Sequence, residues 1–521
     1  MNRRQFLKLT GAAVSAALAS PFIPRSWTRP RAYADSEVRA GEWRLEGDIG
    51  PLQTGPSSFG TQALWDSQLD SVDSYTYLSP AHRAEFPFNA VGASWRAALA
   101  PGSDVRLAVR ASVDGAHWSE WQATRDLDAA LGEKKGATDL VFIQGRFLQC
   151  LLSVTSPRSA PAPMLEGLDL TYIDSSQGPE APRPSWHTME KGSIARLTRP
   201  PVVSRSQWGA NESYRFQYGK EIWPPTYSPA RKIIVHHTAS SDGGQDAAAA
   251  VRAIYYYHTV TQGWGDIGYN FLIDRFGNFY EGRQGGPNVI GAHTAGHNAG
   301  AVGVAMIGNF QTGEPPQAGV NALLSFLIAK SVQHAIVPTG SGTFVNKVYP
   351  NIIGHKDAQS TTCPGDKLYA LLPTLREKAK QGLPALGEAW LSHGVPSKIL
   401  PGAQFWVPVT VANSGTVAWK SSGSTPVRLA YQWLLPDGRP YKGEPNMEVH
   451  IALPKDVEPG NKVTFEVLLK TPKSPGKYRI RWDLVQQDVA WFSEEGNLPL
   501  DLAVNVSLGH SLFLPLVTSG R

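Results

Sequence analysis

Three textures of hydrophobic patterning follow one another along the 521-residue chain. From 35 to 174 the runs are short and alternate. Residues 105–111 (Val-Arg-Leu-Ala-Val-Arg-Ala) place apolar and polar side chains in turn, and Asp114-Gly115 supplies a turn. A new strand is expected to begin at 118–121, with further strands over 147–154 and 168–173. Period-two alternation bounded by turn residues predicts an antiparallel β-sandwich. Residues 175–200, rich in Pro, Ser and charge, read as a linker.

From 201 to 383 the period changes. Lys232–His237 is a short apolar strand, and 246–258 reads as an Ala-rich helix with Asp246 near its start. Runs at 269–273 and 278–282 flank Gly277-Asn278 and predict a hairpin. Residues 301–307 form another buried strand, and 317–333 and 366–380 carry helical periodicity. Strands mixed with helices predict an α/β domain with a mixed central sheet and flanking helices. From 384 to 508 alternation returns, at 405–412, 427–433, 462–469 and 478–485. The expected architecture is thus multidomain: a central α/β domain preceded and followed by all-β sandwiches. Residues 509–521 form a tail, with an apolar run at 511–517. No strong internal repeat is present.

Composition narrows the function classes. With 42% hydrophobic residues, 18% charged residues and 16 Trp, the chain can fill several cores, which excludes a mainly disordered protein. Two cysteines exclude a disulfide-rich scaffold and any four-cysteine zinc module. The formal charge of +5 comes from the N-terminus. Residues 1–34 hold six basic residues and no acid, so the remainder carries 43 basic against 44 acidic residues, a net of −1. Nothing in that balance points to nucleic acid as a partner.

The first 34 residues read as an address. Asn2-Arg3-Arg4-Gln5-Phe6-Leu7-Lys8 resembles a twin-arginine export signal. A small-residue, mildly apolar stretch from 9 to 23 follows, and Ala32-Tyr33-Ala34 gives a cleavage site before Asp35. The plainer reading is a basic, frayed N-terminus. No later segment reaches 18 uninterrupted apolar residues, so no transmembrane segment is expected. The expected location is extracellular or in the cell envelope.

The polar chemistry concentrates in the central region. His236 ends an apolar strand, and His355 and Cys363 lie eight residues apart around Gly354 and Pro364-Gly365. Two imidazoles and a thiolate suit a zinc ion with a fourth position left for water. Such a site lowers the pKa of bound water and polarises a carbonyl. The three residues alone, scattered over the chain, are a weak signal, because histidines at strand ends are often structural.

The surrounding motifs sharpen it. Ser204-Arg205-Ser206-Gln207-Trp208-Gly209-Ala210 opens the region, followed by Ile234-Val235-His236-His237-Thr238. Next come Gly263-Trp264-Gly265-Asp266-Ile267-Gly268-Tyr269-Asn270-Phe271, Tyr280-Glu281-Gly282-Arg283, Gly291-Ala292-His293-Thr294, Gly308-Asn309-Phe310 and the 354–365 segment. In this order they resemble the peptidoglycan recognition protein and N-acetylmuramoyl-L-alanine amidase family, over about a third of the chain. The resemblance implies hydrolysis of the lactyl–L-alanine amide of peptidoglycan or muropeptides by attack of zinc-bound water. It implies zinc ligands at His236, His355 and Cys363, a catalytic tyrosine at Tyr269, and a hydrogen-bonding Thr361 beside the substrate. Strand neighbours face opposite ways, so only one of His236 and His237 can face a metal; the resemblance selects His236. His237, Arg283, His293 and Asn298 are the expected substrate-binding residues, with ordinary loop polarity equally open for His293 and Asn298.

Several side chains admit a plainer role. Cys363 could pair with Cys150, which otherwise reads as a core thiol. His258 reads as a packing or capping residue, Asp266 and Glu281 as structural partners, and Asp357 as either an orienter of His355 or a loop cap. After Arg283 the chain runs Gln284-Gly285-Gly286-Pro287-Asn288 and lacks the residue pair by which relatives choose the third stem residue. Trp118, Trp121, Trp406, Trp419, Trp433, Trp482 and Trp491 are expected to fill cores rather than stack on glycans. The C-terminal region resembles immunoglobulin-like modules, without their usual cysteine pair. The competing functions are a recognition protein that binds peptidoglycan without cutting it, and a different metallohydrolase. Non-catalytic relatives typically lose the zinc cysteine, and no H-E-x-x-H motif is present. No protein partner is identifiable.

Overall fold

The computed structural model describes residues 38–46, 53–54, 72–124, 135–160, 164–180, 201–244, 246–443 and 449–508. The expected export signal, the 181–200 part of the expected linker and the 509–521 tail lie outside the described residues. The chain forms two compact units, one of residues up to 189 with 201–324 and 341–376, the other of 325–340 with 377 onward. Among the described residues no helix is long and apolar enough to cross a membrane.

In the first unit, the N-terminal region builds two antiparallel sheets. One orders Arg39–Glu46, Met164–Asp174, Ala90–Ala98 and Lys135–Ala137. The other is centred on the long Gly145–Pro157 strand, which pairs with Val72–Leu78, His82–Phe88 and Asp104–Ser112. The inward residues Trp95, Leu107, Val109, Leu148, Cys150, Leu152, Leu170 and Tyr172 form one apolar cluster. Cys150 is a free thiol in that cluster, and burial pushes its pKa up to about 12, so it is unreactive.

Trp118 and Trp121 are not in this core. Trp118 makes only an isolated bridge to Ser112, and the next strand is Gln122–Ala123. Both rings are half-buried and flank Arg110, whose guanidinium carbon lies 4.9 Å and 4.6 Å from their centroids. Alternation there is interrupted by the Asp114 turn, which leaves both indoles at the surface, where a cation can cover them.

The central sheet is mainly parallel. Its order is Val202–Val203, Phe279–Glu281, Phe271–Ile273, Ala301–Met306, Lys232–His237 and Ile352–Gly354. Only the Phe271–Ile273 and Phe279–Glu281 hairpin is antiparallel. Lys232–His237 and Ala301–Met306 are buried at every position, the signature of strands covered on both faces. The Ala247–Tyr256 helix starts at Asp246, whose side chain accepts the Ala249 N–H. It ends in a π-helical turn, Tyr257–Thr261.

This helix joins the N-terminal sheets to the central sheet. Val38, Ala90, Leu140 and Ile173 share an apolar cluster with Ala248, Val251, Ile254, Tyr257, Tyr269 and Ala305. The Tyr257 hydroxyl donates to the Thr138 carbonyl at 2.9 Å, and the buried Arg252 donates to the carbonyls of Ser175, Pro179 and Trp208. The first residues of the expected linker are therefore held by hydrogen bonds.

In the second unit, one sheet joins Glu388–His393, Gln404–Asn413 and Lys462–Lys470. The other is built on Leu500–Val506, Gly476–Gln486, Val427–Leu434 and Val449–Ala452. Lys462–Lys470 alternates strictly between exposed and buried positions. Trp419, Trp433 and Trp482 are fully buried, and the Trp433 indole donates to the Lys470 carbonyl across the two sheets at 2.9 Å. Trp491 is half-buried. Trp406 departs from the expected pattern: it is 63% exposed, because it lies on the outward face opposite Leu468.

Candidate metal centre

The strand order fixes where the polar side chains meet. His236 is the fifth residue of Lys232–His237, and His355 follows the end of the adjacent parallel strand Ile352–Gly354. Ligands in open α/β sheets collect beyond the carboxyl ends of such strands. The turn after His355 returns Cys363 to the same place: Lys356 N–H donates to the Cys363 carbonyl at 2.8 Å. The three residues His236, His355 and Cys363 are buried, and one ligand atom from each lies within 4.8 Å of the others.

These distances test whether one ion fits. Two donors on a tetrahedral zinc, at about 2.0–2.1 Å for nitrogen and about 2.3 Å for sulfur, stand about 3.6 Å apart. The His236 Nδ1 to Cys363 Sγ distance is 3.6 Å. Two imidazoles and a thiolate also form the soft donor set that zinc prefers over calcium or magnesium. The residues fit such an ion.

Surrounding groups set the tautomers and hold the donors. His355 Nε2 lies 2.8 Å from Gln359 Oε1. That oxygen can only accept, so Nε2 carries the proton and the lone pair of a neutral His355 sits on Nδ1. Gln359 is held in turn by donating to the Ala295 carbonyl at 3.0 Å. His236 Nε2 lies 3.1 Å from His293 Nδ1 and 3.4 Å from Thr294 Oγ1, so its Nδ1 is the nitrogen that faces Cys363. The Cys363 sulfur receives the His237 backbone N–H at 3.4 Å. The Cys363 N–H donates to Thr361 Oγ1 at 3.1 Å, so Thr361 shapes the turn that presents the thiol.

Tyr269 stands beside the cluster. Its ring centroid is 5.5 Å from that of His236 and 5.8 Å from that of His258. His258 Nδ1 accepts the Gly268 N–H at 3.3 Å, which fixes the segment that carries Tyr269. His293 packs edge-on against His236, and this requires Gly303. A Cβ at Gly303 would lie 2.3 Å from the His293 ring.

Two expected substrate-binding residues are placed elsewhere. His237 is 1% exposed and turns away from His236, with its Nδ1 accepting the Phe310 N–H at 3.2 Å. The alternation of the strand sends the two rings to opposite faces. The Arg283 side chain has no exposed surface: it pairs with Asp266 at 2.7 Å, donates to the Trp223 carbonyl and stacks on the Trp223 ring. It is structural. Asn298 caps the loop, with its Oδ1 accepting the N–H groups of His293 and Thr294. Asp266 also pairs with Arg205, and Glu281 accepts the Arg205 N–H, with burial raising its pKa. Asp357 accepts from Gly354 N–H and from the Tyr369 hydroxyl, which makes it a loop cap. Cys150 and Cys363 are not joined in a disulfide.

Sequence reasoning missed Gln359 and Thr294. Gln359 lies four residues after His355, one turn on, and that spacing was the available signal.

Comparison with known proteins gives the family. A family model described as N-acetylmuramoyl-L-alanine amidase matches residues 226–366, and one described as an Ig-like domain from next to BRCA1 gene matches residues 395–503. Peptidoglycan recognition protein 1 of Bos indicus is 34% identical over 174 residues, 33% of this chain and 82% of that protein. The chain belongs to the peptidoglycan recognition protein and N-acetylmuramoyl-L-alanine amidase family. Two further family members are similar. Peptidoglycan-recognition protein LB of Drosophila melanogaster is 31% identical over 175 residues, 32% of this chain and 66% of that protein. Human N-acetylmuramoyl-L-alanine amidase is 38% identical over 117 residues, 22% of this chain. The match spans only 18% of the human protein's length.

Proposed function

We propose that this protein is a secreted zinc-dependent N-acetylmuramoyl-L-alanine amidase that hydrolyses the lactyl–L-alanine amide of peptidoglycan. The observation that carries the reading is the convergence of His236, His355 and Cys363 beside Tyr269. A family member that only binds peptidoglycan has no need of a buried donor set with fixed tautomers. His236, His355 and Cys363 would hold the zinc ion, which supplies Lewis acidity toward the amide carbonyl and lowers the pKa of bound water.

The protein's own groups do the rest. Gln359 keeps the proton of His355 on Nε2, and the His237 N–H stabilises negative charge on the Cys363 sulfur. Tyr269 presents a hydroxyl that donates to the oxyanion as water adds to the carbonyl. The C–N bond then breaks, and the amine of L-alanine leaves with a proton. Thr361 keeps the 361–363 turn closed by accepting the Cys363 N–H. Export through the twin-arginine pathway rests on the residue order of 1–34 and brings the site to its substrate.

The test is incubation of the mature protein with purified peptidoglycan, with and without a chelator, followed by mass spectrometry of the soluble products. Stem peptides beginning with L-alanine, released only without chelator, are expected. Truncated stem peptides would indicate a peptidase. Binding without any soluble product would indicate a recognition protein.

A further inference from the structure

Tyr257 belongs to the amidase region, yet its side chain is seated in the N-terminal β-domain. The ring is buried, and its hydroxyl lies 2.9 Å from the Thr138 carbonyl and 3.3 Å from that of Ala93. Those two acceptors are pinned to each other. The Thr138 N–H donates to the Ala93 carbonyl at 2.8 Å, and Thr138 Oγ1 accepts the Ala93 N–H at 3.0 Å. Gly92 completes the seat, since a Cβ there would lie 2.4 Å from the Tyr257 ring. A close-packed ring held at its tip has one place to sit.

Tyr257 is also the first residue of the π-helical turn Tyr257–Thr261. Such turns are rare and recur at functional sites. The next residue, His258, is buried, and its carbonyl accepts the Trp264 N–H at 3.0 Å. Its ring centroid lies 4.4 Å from that of Trp264, and its Nδ1 accepts the Gly268 N–H at 3.3 Å. Tyr269 follows directly. Gly268 is confined on its other side as well, because a Cβ there would lie 2.8 Å from the Ala292 carbonyl oxygen. Asp139, Leu140 and Phe142 border one small cavity together with Tyr257, His258 and Tyr269. A displacement of Tyr257 therefore passes along the turn to His258, and from there to the Tyr269 hydroxyl.

We propose that the N-terminal β-domain holds Tyr269 in place beside His236, through Tyr257 and His258 as positioning residues. This rests on the amidase reading above and adds that the rate depends on a β-domain outside the amidase region. An oxyanion donor works only where it is aimed, and a misplacement of about 1 Å can cost about 10²-fold.

The test is a double-mutant cycle on the full mature protein, with an N-acetylmuramoyl tripeptide as substrate. Tyr257→Phe keeps the ring and removes its tie to Thr138. It should lower kcat about tenfold, with KM within about twofold and zinc content unchanged. In a Tyr269→Phe background the same change should cost less than about twofold, because the group it positions is gone. Ser175→Ala withdraws a 2.8 Å hydrogen bond from the Ala249 carbonyl, near the other end of the same helix. It should leave kcat within about twofold, since it lies away from the π-helical turn. An unchanged kcat in Tyr257→Phe, full additivity of the two tyrosine changes, or an equal loss from Ser175→Ala would overturn the proposal. Hydrogen exchange is measured on the same proteins. Tyr257→Phe should quicken exchange across 265–271 by about threefold or more and leave Ala301–Met306 unaltered. If the native protein releases no product, the amidase reading falls and exchange alone decides: unchanged exchange across 265–271 then overturns the support of Tyr269, and quickened exchange upholds it.

Discussion

The candidate metal centre and the C-terminal unit each bury titratable groups, and the two solve the problem of burial differently. At the centre, His236, His355 and Cys363 aim their donor atoms at one another. In the C-terminal unit, Glu388 and Asp483 are buried carboxyls. Glu388 accepts from the Trp390 indole at 3.3 Å, and Asp483 accepts the Leu484 N–H at 2.8 Å. Burial, with Asp483 nearby, holds the Glu388 pKa well above the usual carboxylate range. Burial raises Asp483 to about 6. A carboxyl can meet burial by keeping its proton. Soft donors facing each other gain most from an ion between them. Burial of polar groups is thus no functional signal alone; convergence of the donor atoms is.

Substitutions can break this contrast, beginning with the largest effect. Cys363→Ser should abolish zinc binding and lower turnover by about 10³-fold or more, since it removes the thiolate ligand. Peptidoglycan binding should persist in a pull-down. Unchanged turnover would remove the metal from the mechanism.

Arg283→Ala should lower stability by about 3 kcal/mol in chemical denaturation, because it withdraws a buried partner from Asp266. A change in KM without a loss of stability would return Arg283 to the substrate surface. Tyr269→Phe should cost about 10²–10³-fold in kcat with zinc still bound, the usual effect of one oxyanion donor. Metal analysis beside kinetics checks it.

In the C-terminal unit the readout is pH. The folded-state pKa of Asp483 lies above its unfolded value, so its stabilising contribution is present below about pH 4 and is lost as pH rises through about 6. The loss is about 3 kcal/mol, at roughly 1.4 kcal/mol per pKa unit. Hydrogen exchange across Gly476–Gln486 in the full protein should quicken over that range, and Asp483→Asn should flatten the response. The smallest effect is expected at exposed Trp406, where Trp406→Ser should alter stability by no more than about 0.5 kcal/mol. Trp433→Ala, in the same unit, should cost about 3–5 kcal/mol.

Much of the central region is legible from periodicity. The strand at 232–237, the helix beginning at Asp246 and the hairpin about Gly277-Asn278 each follow from local pattern. The short strands Val202–Val203 and Ile352–Gly354 do not, because runs of two or three residues carry no measurable period. The tryptophans of the flanking regions divide. Trp433 and Trp482, on inward positions of regular strands, fill the core as their pattern predicts. Trp118, Trp121 and Trp406 do not, since the face of a strand that meets a second sheet is set by its neighbours, not by the residue itself.

The sequence alone singled out the candidate residues for the proposed chemistry, because motif order and residue type survive without knowledge of distance. His236, Tyr269, His355 and Cys363 are named by their neighbours along the chain. Only tertiary structure decided what each polar group is for. It sent His237 to the core and Arg283 to Asp266, and it set Gln359 to accept the hydrogen bond from His355 Nε2. It also brought Asp139, Leu140 and Phe142 from a separate β-region against Tyr269. Contacts of that kind depend on how two surfaces pack, and packing between segments more than 100 residues apart leaves no local period in a sequence.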